Sequence, residues 1–135
     1  MAVSISPVGL ATTALVADQV SLLASYTEKL CNAICVNSSI QPQYTVTYTS
    51  GTPRLENGTT FVPITAVITI VTPGCCNCGH TRIYTERFTA AFQGQTVLPA
   101  SVTITSVGRD AQASSVKCCM ARSYTINDSL TISIA

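Results

Sequence analysis

The sequence predicts a mainly β protein: an antiparallel β-sandwich or barrel with one N-terminal α-helix, in a single domain spanning residues 1–135. Three observations lead there. From residue 41 onward, apolar side chains recur at every second position in six successive segments. Turn-forming residues separate those segments. Ahead of them, across residues 13–36, the apolar spacing is three to four instead of two.

Taken in order, residues 1–12 read as a short edge strand or extended arm, with Val3 and Ile5 in phase and Pro7 closing it. Val16, Val20, Leu23, Tyr26, Leu30 and Ile34 then fall on one helical face. Thr12 or Thr13 serves as N-cap and "VNSS" as the stop, which predicts a helix over residues 13–36. The β-sandwich occupies residues 41–135. In "QYTVTYT", Tyr44, Val46 and Tyr48 face one way and the threonines the other. "SGTPRLENGTT" is a connection punctuated by Gly51, Pro53 and Asn57-Gly58. "FVPITAVITIVT" is apolar on both faces, as a central strand is, and Pro63 belongs at its start or at a bulge. "TRIYTERFTAAF" sets Tyr84, Phe88, Ala90 and Phe92 on one face, with Glu86 and Arg87 as exposed charges. "ASVTITSV", "KCCMARSYTI" and "SLTISIA" complete the set, with turns expected at Gly94, Gly108-Arg109-Asp110 and Asn127-Asp128. "PGCCNCGH" is then the loop of a hairpin joining "FVPITAVITIVT" to "RIYTERFTAAF".

Composition narrows the function. Charged residues make up 10% of the chain, far below the roughly 25% of an average soluble domain. Ser and Thr, 14 and 20 of them, fill the gap. A hydroxyl-covered surface has little charge to hold copies apart, so association is expected. The seven basic residues are scattered, with no stripe to follow a phosphate backbone, and this argues against nucleic acid. The apolar runs fall short of a membrane span. The start "MAVSISPVGL" lacks the charged and apolar regions of a signal peptide, so synthesis in a cytoplasm is expected. The single histidine and six dispersed carboxylates offer no triad and no acid/base pair. The reading is a non-enzyme with no small-molecule substrate.

The cysteines carry the one concentrated chemical signal. Cys75, Cys76, Cys78 and His80 crowd one short stretch, and Cys118 and Cys119 adjoin later. Cys75-x-x-Cys78-Gly79 has the spacing of a zinc knuckle, which Cys118, Cys119 or His80 could complete, and zinc is the one candidate cofactor. Against a metal, a second C-x-x-C is absent, and adjacent cysteines on a strand point to opposite faces. Bridges from Cys75, Cys76 or Cys78 to Cys118 or Cys119 form a second reading, although seven cysteines leave one unpaired. Buried thiols form the third, because free cysteine behaves as a small hydrophobe. Buried thiols rank first, disulfides second and a metal third. In each case the cysteines fix a loop and perform no catalysis.

Over about twenty residues, "CNCGHTRIYTERFTAAFQG" resembles strand segments of small structural proteins of tailed phages, the crAss-like gut phages in particular. The resemblance implies a β-sandwich subunit of a virion: a capsid decoration or a head-tail neck component. It would be made in the host cytoplasm, and its partners would be other structural proteins and copies of itself. The seven cysteines depart from that pattern.

Overall fold

The computed structural model describes residues 1–7, 18–30, 42–72, 80–113 and 122–135. These residues form eight strands: β1 (Ala2–Pro7), β2 (Gln19–Leu30), β3 (Gln43–Ser50), β4 (Arg54–Glu56), β5 (Thr59–Thr72), β6 (His80–Phe92), β7 (Val102–Ala113) and β8 (Arg122–Ile134). All pairings are antiparallel. The first sheet runs β1-β2-β8-β7. In the second, β5 is central: β6 lines one edge, and β3 then β4 share the other.

Among the described residues the expected helix is replaced by a strand. Gln19–Leu30 is a strand, paired along its length with β8 and, from Leu22 to Thr27, with β1. Residues 13–17 and 31–36 of that expectation lie outside the described residues. Val20, Tyr26 and Leu30 are separated by even numbers of positions that also suit a helical face, so they fit both periods. Val20, Leu22, Ala24 and Tyr26 share the inward phase, while Ser21, Ser25 and Thr27 alternate outward. Leu23, which fitted only the helix, lies on the outward phase. β1 pairs with β2 of its own chain.

The second sheet follows the expected alternation. On β5, Val62, Ile64, Ala66, Ile68 and Ile70 are buried, and a fully buried isoleucine contributes about 2 kcal/mol. "FVPITAVITIVT" and "RIYTERFTAAF" pair as expected, with Thr72 opposite His80, while residues 73–79 lie outside the described residues. Pro63 sits within β5 where the far edge is interrupted between β3 and β4. There Gly51 N–H donates to the Pro63 carbonyl at 2.8 Å. A side chain on Gly51 would start 3.0 Å from Pro63 Cγ, which is why glycine stands at this crossing. Asn57 and Gly58 both have positive φ, 50° and 78°, the signature of a type I′ hairpin between β4 and β5.

Two expected turns are corrected. Gly108-Arg109-Asp110 lies inside β7, and Asn127-Asp128 lies inside β8. "RSYTI" and "SLTISI" are therefore one continuous strand. The inner faces of the two sheets meet in two apolar clusters. One contains Ala24, Tyr26, Val46, Ala66, Ile68, Ile70, Tyr124, Ile126 and Leu130. The other contains Val62, Ile64, Ala90, Phe92, Ile132 and Ile134.

Candidate functional site

The densest polar cluster among the described residues is built on Asp128. On β8 the inward phase reads Tyr124, Ile126, Asp128, Leu130, Ile132, Ile134, all buried, so a carboxylate occupies a position its strand reserves for apolar side chains. Its neighbour on β2 is Ala24, a side chain small enough to leave room. Its neighbour on β7 is Arg109.

A β-bulge puts Arg109 there. The register of β7 against β8 shifts between Ser106 and Gly108, leaving Val107 as the extra residue, 66% exposed. Ahead of the bulge the even positions Val102, Ile104 and Ser106 point inward. Beyond it the odd positions Arg109, Ala111 and Ala113 do so. Re-aiming a side chain is what a bulge does.

Asp128 accepts from three directions. Arg109 Nη2 donates to Oδ2 at 2.9 Å, and the Tyr48 hydroxyl donates to the same oxygen at 2.6 Å. The Ser106 hydroxyl donates to Oδ1. Tyr26 donates in turn to the Tyr48 hydroxyl at 3.1 Å. Tyr48 comes from the second sheet and the other members from the first, so this chain of bonds crosses the interior. Asp128 is fully buried, whereas 29% of the Arg109 side chain reaches solvent.

Burial raises both phenols above their ordinary range. For Tyr26 it is the main cause. For Tyr48 the hydrogen bond donated to Asp128 acts in the same direction, because losing that proton would set two negative groups together. Glu86 adds to the effect on Tyr26: it lies on the inward phase of β6, half-buried, where an exposed charge was expected. Nearby, burial pushes the Tyr124 phenol up to about 12, and its hydroxyl donates to the Pro42 carbonyl at 3.2 Å. The Tyr48 phenol, donating to Asp128 and accepting from Tyr26, ties the two sheets together.

Among the described residues, open depressions mark the surface at two places of note. One of about 600 Å³ lies beside the bulge, lined by Leu23, Gly108, Arg109, Asp110, Asn127 and Ser129. The other, about 310 Å³, lies where Val97 and Leu98 approach Ile134. Asp128 lines neither.

Of the residues expected to bind metal, Cys75, Cys78, Cys118 and Cys119 lie outside the described residues, as do Cys31, Cys35 and Cys76. His80 opens β6 opposite Thr72. Among the described residues, no three His, Cys, Asp or Glu side chains converge to hold a metal ion. The strand ends that flank the cysteine-bearing segments do share a location. Leu30 pairs with Arg122, Ala113 with Tyr124, and Thr72 with His80. Tyr124 in turn packs edge-on against Tyr44, beside Pro42. All of these strand ends stand at one end of the sandwich.

No family model matches the chain, and neither the curated proteins nor the solved structures contain a match to it.

Proposed function

We propose that this chain is a structural assembly subunit that works by protein–protein contact, in a virion of a tailed phage as a capsid decoration or head-tail neck component. The observation that carries the reading is the character of the two outer sheet faces. On the first sheet, Ser21, Ser25 and Thr27 lie opposite Thr131, Asn127 and Thr125 in cross-strand rows. The Ser25 hydroxyl donates to Asn127 Oδ1 at 2.7 Å, and Thr27 and Thr125 share a hydrogen bond at 3.0 Å. On the second, Thr45, Thr47 and Thr49 run beside Thr65, Val67 and Thr69, and those beside Ile83, Thr85 and Arg87. Such faces are polar enough to be wetted, yet carry too little charge to repel a copy or partner. Ile83, 66% exposed, and Val71, 41% exposed, add apolar contact on the second face.

The buried cluster supports the same reading from inside. A carboxylate bonded by three donors and sealed from both surface depressions serves as a fixed strut. A subunit that transmits load between neighbours depends on such rigidity. The phage setting comes from the sequence resemblance. The test is to purify particles on a density gradient from a culture that makes the chain, then quantify its peptides by mass spectrometry. The expected result is co-sedimentation at a fixed copy number per particle. A chain found only in the soluble fraction contradicts the proposal.

A further inference from the structure

We infer that two copies of the chain join edge to edge through β6, antiparallel, in the register that sets Tyr84 against Tyr84 of the second copy and Arg82 against its Glu86. The inference rests on the assembly reading only in taking a second copy as the occupant. The geometry comes from the edge itself.

Among the described residues the two sheets have four outer edges, and three carry the features that discourage pairing. β1 has six residues and ends at Pro7. β7 is kinked by its bulge at Val107. The β3/β4 edge is broken at Gly51-Thr52-Pro53 into strands of eight and three residues. β6 is neither short, kinked nor broken: it has thirteen residues without Gly, Pro or Lys, in unshifted register with β5 from end to end, and its inward phase carries the charges Arg82 and Glu86. A long, straight, unpaired edge is a template for another strand.

The hydrogen-bonding phase of this edge follows from one contact on the far side of β5. Gly51 N–H bonds the Pro63 carbonyl, so the backbone polar groups of Pro63 point toward β3 and β4. Alternation then turns those of Ile64 and Ala66 toward β6, where they meet Phe88 and Glu86. Thr81, Ile83, Thr85 and Arg87 therefore aim their N–H and C=O groups outward.

A two-fold pair keeps the inner faces of both copies on the same side, which restricts the register to shifts that conserve side-chain phase. Centring on Glu86 opposes two carboxylates, and centring on Arg87 opposes two guanidiniums. Centring on Thr85 opposes no charged pair. Centring on Tyr84 opposes Arg82 with Glu86 of the second copy twice, once on either side of the axis. In that register Ile83 faces Thr85 and Thr81 faces Arg87 at the hydrogen-bonded positions, giving about eight main-chain bonds. Arg82 and Glu86 then meet at non-bonded positions, where opposed side chains are closest. Arg82 already makes an interaction within its own chain, so the pairing uses its charge in addition to that contact.

Sedimentation velocity on the purified full chain tests this. The wild type is expected to dimerise. Thr85→Pro removes only an outward-facing N–H, so it should keep the β-sheet circular dichroism and weaken dimerisation about tenfold or more. Arg82→Glu and Glu86→Arg should each be monomeric alone, and mixing the two variants should restore a dimer, because every opposed pair is then opposite in charge. A monomeric wild type overturns the proposal, as does a folded Thr85→Pro chain that dimerises unchanged. Single variants that stay monomeric when mixed overturn the register. Each of these failures leaves the particle-association test of the assembly reading standing separately.

Discussion

The two ends of the sandwich interior bury their side chains by different means. Around Val62, Ile64, Ala90, Phe92, Ile132 and Ile134 the sheets meet through apolar side chains, with the buried Thr60 opposite Phe92 as the exception. Around Tyr26 and Leu130 the packing surrounds a buried carboxylate and two phenols, while the Ser106 hydroxyl and the Arg109 guanidinium bond that carboxylate from residues open to solvent. The apolar end is held by area and volume, which neighbouring side chains can partly restore after a change. The polar end is all-or-none, since each donor removed leaves a buried acceptor short. A third buried group sharpens the contrast. Thr60 is fully buried and its hydroxyl has no partner among the described residues. Its environment tolerates a polar atom without using it.

The largest effect is expected at Asp128. Asp128→Ala leaves Arg109, Tyr48 and Ser106 without their acceptor and should cost about 3–5 kcal/mol in urea unfolding. Ile132→Val, at the apolar end, should cost about 1 kcal/mol. Equal losses would remove the distinction between the ends.

Next comes alkaline pH. Tyr26, Tyr48 and Tyr124 hold their protons to higher pH folded than unfolded, so the folded chain binds more protons in that range. The stability they contribute is fully present below about pH 10, the ordinary phenol value, and is lost as pH rises past it. For Tyr124 the loss should run from there to about 12. Unfolding free energy measured against pH should bend downward in this range, and Tyr124→Phe should flatten part of the bend. A flat wild-type curve through pH 12 would contradict the burial of these phenols.

The smallest effect is expected at Thr60. Thr60→Val replaces the unpartnered hydroxyl with a methyl group of the same shape and should be neutral or stabilising by up to about 1 kcal/mol. A clear loss of stability would show that the hydroxyl has a partner.

The second sheet was legible in the sequence because its alternation is strict and its interruptions fall at Gly51, Pro53 and Asn57-Gly58. β2 was misread because Val20, Tyr26 and Leu30 suit both periods, and Leu23, half-buried on the outward phase, completed the helical one. The Asp128 cluster was hidden by its own composition, since Asn127-Asp128 reads as a turn pair. One signal did point to it. Tyr124, Ile126, Leu130, Ile132 and Ile134 keep a single phase on both sides of Asp128, which a turn would have broken. Arg109 was harder to find, because the bulge that turns it inward changes the phase of β7 and is marked in the sequence only by Gly108. The cysteine stretch drew attention as the most concentrated chemistry in the chain, and it falls outside the described residues.

The central structural claim is that Tyr48 and Arg109, from opposite sheets, act as one unit through a shared oxygen of Asp128. A double-mutant cycle of Tyr48→Phe and Arg109→Met, read by urea unfolding, tests it most directly. The two substitutions should be non-additive, with a coupling energy of about 0.5–3 kcal/mol. Losses that simply add would show that the two donors hold the sheets independently, and the account of a single polar strut through the sandwich would fail.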